Sequence, residues 1–227
     1  MDDKTHPDAL RIDQLFSPGR TIAWGYISKY TWPWEILPDI GDIILELGEK
    51  LDKDEYETLP NNVWIHKTAT VAPTASIGET VIIGAGANIR HCAYIRQNAL
   101  VGDGAVVGNS TELKNVILFD KTQVPHFNYV GDSILGFKSH MGAGSITSNV
   151  KSDGTLVTID CDGSRIETGL KKFGAILGDN VEIGCNSVLN PGSIIGQNAT
   201  VYPLSMVRGY VPAGSIYKKR GEIAQKH

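Results

Sequence analysis

Residues 71–112 read VAPTAS IGETVI IGAGAN IRHCAY IRQNAL VGDGAV VGNSTE, and residues 177–206 resume with LGDNVE IGCNSV LNPGSI IGQNAT VYPLSM. An aliphatic side chain returns at every sixth position and is usually followed by Gly, Ala or a polar residue. A period of six fits neither an amphipathic helix nor a long alternating strand. It matches a mainly β solenoid built from short flat strands and tight corners. Val71, Ile77, Ile83, Ile89, Ile95, Val101, Val107 and Leu113 lead their hexads and are expected to point inward. Three hexads make one triangular coil, so residues about 18 apart stack at a rung spacing of roughly 4.8 Å.

Outward from the hexads the pattern changes. Residues 1–61 carry none and read as an aromatic-rich helical cap. Trp32, Pro33 and Trp34 precede Ile40, Ile43, Ile44, Leu45 and Leu47, which fall close to helical spacing. The cap is expected to pack on the first coil, because solenoid ends expose unpaired strand edges. Residues 62–212 form the solenoid, interrupted at about 148–174. There Leu156 to Asp160 alternates, Asp162-Gly163 signals a turn and Ser164 to Glu167 resumes an extended pattern, which predicts a β-hairpin thrown out from one corner. Residues 213–227 are expected to leave the solenoid as a tail.

The 227 residues suffice for one substantial core plus a small appendage. A net charge of −4 and a pI near 5.8 give no argument for nucleic acid. The polar N-terminus lacks the apolar core of a secretion signal, and no apolar run approaches the roughly 18 to 20 residues of a membrane span. A soluble cytoplasmic protein without a membrane partner is the expectation. Cys92, Cys161 and Cys185 are widely spaced and form no CxxC, so they read as structural thiols.

Two five-residue units, LKNVI at 113–117 and VGDSI at 130–134, shift the rung arithmetic by one. With that shift Ile89, Val107, Val124 and Met141 share one face, and His91, Asn109, His126 and Ala143 stack two positions further on. Arg96 and Lys114 fall on adjacent rungs, roughly 5 Å apart. Two like charges that close repel unless an anion lies between them. A phosphate suits the pair, since Arg grips it bidentately and Lys adds a point charge.

The run from Gly108 to Asn149 holds Gly-Asn at 108–109, Lys114, His126, then Tyr129-Val130-Gly131-Asp132, then GAGSITSN at 142–149. This ordered set resembles the acetyltransferase domain of the bifunctional enzymes that acetylate glucosamine 1-phosphate and couple it to UMP. The hairpin and the IETGLKKFGAILGDNVEIG around 166–184 are more similar to the archaeal sugar-1-phosphate nucleotidylyltransferase/acetyltransferase type. The resemblance implies a left-handed parallel β-helix and a homotrimer. It implies His126 as catalytic base, Arg96, Lys114, Tyr129, Asn149 and Lys172 as substrate ligands, and His140 where the bacterial enzymes place a substrate-contacting Asn. Ala143, Cys185, Pro203 and Arg220 correspond to positions that would contact acetyl-CoA, the co-substrate. No metal is required. The first 60 residues are too short for the nucleotidyltransferase domain of the resembling enzymes, so a separate nucleotidyltransferase is an expected partner.

The expected activity is acetyl transfer from acetyl-CoA to the amine of an amino-sugar phosphate. His126 would act as base, Asn109 and Asn149 would orient it or the sugar, and a backbone N–H near Gly142 to Gly144 would meet the oxyanion. An alternative is a nucleotide-sugar binding or regulatory module that kept the groove and lost the chemistry. A γ-class carbonic anhydrase-like metal site fits worse. His91 and His126 lie two rungs or roughly 9 to 10 Å apart, too far for both to ligate one ion at about 2.0 to 2.1 Å.

Overall fold

The computed structural model describes residues 6–219 and 222–225; Arg220 lies outside the described residues. From Val63 onward the chain winds into a parallel β-solenoid whose rungs present three flat faces. On the first face Thr70–Val71, Asn88–Ile89, Val106–Asn109, Gln123–His126, His140–Met141, Glu182–Ile183 and Thr200–Val201 stack in order. The second face carries the register Ile77↔Ile95↔Leu113↔Val130. On the third face Val81↔Ala99↔Val116↔Ser133 run in parallel. The pairing steps by 18 residues at Asn88↔Val106 and by 17 at Asn109↔His126, as the two short units require.

Hexad aliphatics fill the prism. Ile83, Ile89, Ile95, Val101, Val107 and Leu113 are fully buried, while Val71 and Ile77, on the first coil, are partly buried against the same core. The corners turn on residues with positive φ. Thr80, Asn98, Asn115 and Asp132 occupy successive rungs at the corner between the second and third faces. Asn and Asp tolerate this left-handed conformation best after Gly, which is why the hexads carry them where they do.

The N-terminal segment packs on the first coil, as expected, and also runs on along the outside of the third face. The helix Ile40–Gly48 crosses the strands Ser76–Ile83, Tyr94–Val101 and Glu112–Leu118. Further along, Asp120 N–H donates to the Arg20 carbonyl and Asp179 N–H to the Leu15 carbonyl, each at 3.0 Å, and Phe16 packs on Phe119. The cause is a column of outward-pointing aliphatics on that face. Ile82, Leu100, Ile117, Ile134, Ile176 and Ile194 are each fully buried beneath the segment and the hairpin. Burying each such side chain is worth up to about 1.5–3 kcal/mol. The solenoid ends are closed by antiparallel strands, Tyr56–Leu59 on Val63–His66 and Glu222–Gln225 on Ser215–Lys219. The described residues after 213 therefore stay on the solenoid, with Ser215–Lys219 pairing onto Thr200–Val201.

The insertion leaves the solenoid after Ile146–Thr147 and returns at Ala175–Leu177, so the rung partners His140 and Glu182 lie 42 residues apart. Thr158–Cys161 and Ser164–Glu167 form the hairpin, turning on Asp162 and Gly163, both at positive φ. That pair of dihedrals suits a two-residue turn with the twist of the strands. The hairpin is not thrown outward, as its sequence suggests, but folds back on its own solenoid. Val157, Ile159, Cys161 and Ile166 are buried against the third face. Gly209 shows how close the approach is, since a Cβ there would stand 2.4 Å from the Asp160 carbonyl oxygen.

Candidate active site

His126 ends the strand Gln123–His126, at the corner between the first and second faces, with its side chain exposed. Asn128, buried beneath it, shapes this corner. Its Oδ1 accepts the His126 N–H at 3.1 Å and its Nδ2 donates to the Gly142 and Ser145 carbonyls at 2.9 and 3.0 Å. The same corner continues rung by rung. The His126 carbonyl accepts Gly144 N–H, the Ala143 carbonyl accepts Asn186 N–H and the Cys185 carbonyl accepts Leu204 N–H, at 3.0, 2.9 and 2.9 Å. Pro203 packs directly on Gly184. Thus His126, Ala143, Cys185 and Pro203 line one edge over three rung steps, roughly 14 Å. Cys185, Tyr202 and Leu204 are exposed along it, a largely apolar rim that suits the thiol-bearing arm of a coenzyme.

The second constellation sits at the corner between the second and third faces. Lys114 Nζ reaches Asp132 Oδ1 and Oδ2 at 3.1 and 3.4 Å, Asn115 Nδ2 donates to Asp132 Oδ1 at 3.1 Å, and Asn149 Nδ2 donates to Asp132 Oδ2. Asn149 also donates to the Tyr129 hydroxyl at 3.3 Å. Burial pushes the Tyr129 phenol up, and the charges of Asp132 and Glu112 act in the same direction. A cleft of about 370 Å³ opens beside this cluster. Lys114, Asp132 and Gln97 from the solenoid line it, with Pro38 from the N-terminal segment and Lys171 and Lys172 from the end of the insertion.

Arg96 and Lys114 pair with separate carboxylates in this arrangement. Its guanidinium lies 3.0 Å from Glu112, whose hydrogen bond holds the Arg96 pKa above its ordinary value. The repulsion expected between Arg96 and Lys114 is met by two carboxylates, Glu112 and Asp132. Sequence reasoning passed over both, although Glu112 stands two residues before Lys114 and Asp132 ends the Tyr129-Val130-Gly131-Asp132 motif. Lys172 is exposed at the cleft rim, and among the described residues no ion pair engages it.

Other expected members sit elsewhere. His140 lies on the first face, its Nδ1 against Glu182, in a cavity of about 620 Å³ with Lys121 and Lys138. Within one chain it is on a different face from Tyr129 and Asn149. Neither Asn109 nor Asn149 orients the His126 ring, because Asn109 Nδ2 donates to the His91 carbonyl at 3.2 Å and Asn149 is held by Asp132. Gly142 N–H and Gly144 N–H are spent on the Ile183 and His126 carbonyls, which leaves Ala143 N–H as the candidate oxyanion donor of that loop. The His91 ring is held by Thr74 at 2.7 Å and Cys92 at 3.2 Å. Among the described residues no group of three or more His, Cys, Asp and Glu side chains converges as a metal site would require. No helix among them is long and apolar enough to cross a membrane. Burial pushes the Cys161 thiol up to about 12, with Asp162 adding to the effect.

Residues 174–209 match the family model described as bacterial transferase hexapeptide (six repeats). Over that stretch the chain carries the hexapeptide repeat. Such repeats imply a left-handed parallel β-helix, which is the coil described above. The chain is 36% identical over 118 residues to the bifunctional protein GlmU of Methanococcus vannielii, covering 52% of this chain and 28% of that one. It is 36% identical over 203 residues to the bifunctional protein GlmU of Methanococcus maripaludis, covering 88% of this chain and 49% of that one. The bifunctional sugar-1-phosphate nucleotidylyltransferase/acetyltransferase of Sulfurisphaera tokodaii is 35% identical over 109 residues, 48% of this chain and 27% of that one. The chain spans half or less of the length of these relatives.

Proposed function

We propose that this chain is an acetyl-CoA-dependent N-acetyltransferase acting on glucosamine 1-phosphate or a related amino-sugar phosphate. The observation that carries the reading is the placement of His126. Its exposed ring stands at the head of the edge formed with Ala143, Cys185 and Pro203, and three residues before Tyr129 of the Lys114 cluster. Acetyl-CoA supplies an activated acetyl thioester when bound along that edge. His126 takes the proton from the sugar amine as its nitrogen attacks the thioester carbon; the C–N bond forms as the C–S bond breaks, and the coenzyme leaves as its thiol with that proton, a role for the base that contributes about 10²- to 10⁴-fold in rate. Lys172 and Arg96, the latter in exchange for Glu112, grip the phosphate, while Lys114, Asn149 and Tyr129 orient the sugar. The names of the relatives support the reading, since one is a bifunctional sugar-1-phosphate nucleotidylyltransferase/acetyltransferase and two are bifunctional proteins GlmU.

The working unit is proposed to be a homotrimer. A single prism offers the edge little depth, and Phe127, Leu204 and Met206 beside it are 61%, 79% and 52% exposed. A neighbouring prism would cover them and deepen the groove. Thiol release from acetyl-CoA, measured across amino-sugar phosphates and their nucleotide conjugates, tests the proposal. Release that depends on the amino sugar is expected. Release at background for the whole panel would leave the second reading, a nucleotide-sugar binding module serving a separate nucleotidyltransferase.

A further inference from the structure

Asp132 belongs to none of the roles above, yet it joins them. Its side chain is 6% exposed and its backbone holds φ at 48°, a corner position that Asn occupies at residues 98 and 115 on the preceding rungs. A carboxylate is the most costly of the small polar groups to bury, and burial persists only where the charge is paired and its lone pairs are filled. Here they are filled by Lys114, Asn115 and Asn149 together. Two of those three line the proposed substrate site, and the third ties the site to the N-terminal segment, because Asn115 Nδ2 also lies 3.0 Å from the Leu37 carbonyl. The Asp132 carbonyl accepts Gly174 N–H at 2.8 Å, which fixes the return of the insertion two residues after Lys172.

We propose that Asp132 is the positioning residue of this site. It acts through Lys114 and Asn149, on which substrate recognition depends, so the inference rests on the functional reading above. Lys114 has three N–H donors; the carboxylate takes the contacts on one side and turns the rest toward the cleft. Asn149 spends its amide on the carboxylate and on Tyr129, which sets the height of the phenol. An Asn in place of Asp132 would keep one acceptor oxygen, but it would remove the charge opposite Lys114 and turn an amide N–H on the donors that the other oxygen serves, so the three would no longer share one anchor.

Binding of glucosamine 1-phosphate by calorimetry, together with steady-state kinetics, tests this on Asp132→Asn, Lys114→Met and the double variant. Asp132→Asn is expected to raise Kd and KM by about tenfold with kcat within about threefold, since an interaction common to ground and transition states is lost. The double variant is expected to bind less than about threefold more weakly than Lys114→Met alone, the non-additivity of two residues that act as one. Multiplying effects, or a loss of thermal stability in Asp132→Asn with unchanged Kd, would overturn the proposal. Should Asp132→Asn fail to fold, Asn115→Ala takes its place, with a rise of about threefold in Kd expected and an unchanged Kd contradicting. If the wild-type chain binds no amino-sugar phosphate, the functional reading has failed and this one with it; wild-type binding with additive variants sinks the positioning role alone.

Discussion

His126 and Lys114 occupy different corners of the prism, and their substitutions should fail in different ways. On the proposed reading His126→Ala removes a base but leaves the cationic cluster, so turnover is expected to fall by at least about 10²-fold with Kd for the sugar phosphate nearly unchanged. Lys114→Ala is expected mainly to weaken binding; equal defects in the two variants would contradict the division of roles. A further residue-scale effect concerns pH. Burial pushes the Asp120 carboxyl up from 3.8 to about 6, helped by the charge of Asp103 and opposed by the Asp103 N–H, Arg20 and Lys121. A raised carboxyl binds its proton more tightly in the folded chain, so stability is full below about pH 4 and declines as pH rises through about 6. The group is half exposed, so after solvent screening the loss is on the order of 1 kcal/mol. Asp120→Asn should therefore be more stable than wild type in urea melts at pH 7.5 and indistinguishable from it near pH 3.5; the reverse order would contradict this. At this scale the sequence is a partial guide. Rung arithmetic places backbones, and it stacked His126 under Asn109 and Arg96 near Lys114. It does not say which neighbour a long cation selects, and Arg96 and Lys114 each chose the nearest carboxylate.

The solenoid's inward face was legible element by element, because a six-residue return of Val, Ile and Leu has no other architecture to serve. The outward faces were not. The triplets Val81-Ile82-Ile83, Ala99-Leu100-Val101, Val116-Ile117-Leu118 and Ala175-Ile176-Leu177 are apolar at all three positions, and a strand buried on one face only would alternate. Their middle residues point away from the prism and call for a cover, which the N-terminal segment and the hairpin provide. That signal was present in the sequence and marks where both elements must lie. It also changes what hairpin substitutions do. Ile159 is fully buried against the third face, so Ile159→Ala is expected to cost about 2–5 kcal/mol in chemical denaturation. An effect near zero would mean that the hairpin does not rest on its own solenoid in solution.

For the whole molecule, covering the third face within one chain leaves the first and second faces and the edge between them for other copies. Phe127, Leu204 and Met206 are exposed there, beside the edge from His126 to Pro203, whereas Ile22 and Leu156 are exposed on the covering elements. Light scattering at micromolar concentration is expected to give three times the mass of the 24.6 kDa chain, and a fully active monomer would exclude a shared groove. Substrate identity is the least legible property, because the proposed cleft residues Gln97, Lys114, Lys171 and Lys172 would select a ligand only through geometry that spacing does not encode. The central claim, amine acetylation through His126, is tested most directly by mass spectrometry of glucosamine 1-phosphate and related amino-sugar phosphates after incubation with acetyl-CoA. The account predicts a product heavier by one acetyl group with the wild-type chain and at least about 10²-fold less with His126→Ala. No acetylated sugar from any of them, or equal product from both chains, would contradict it.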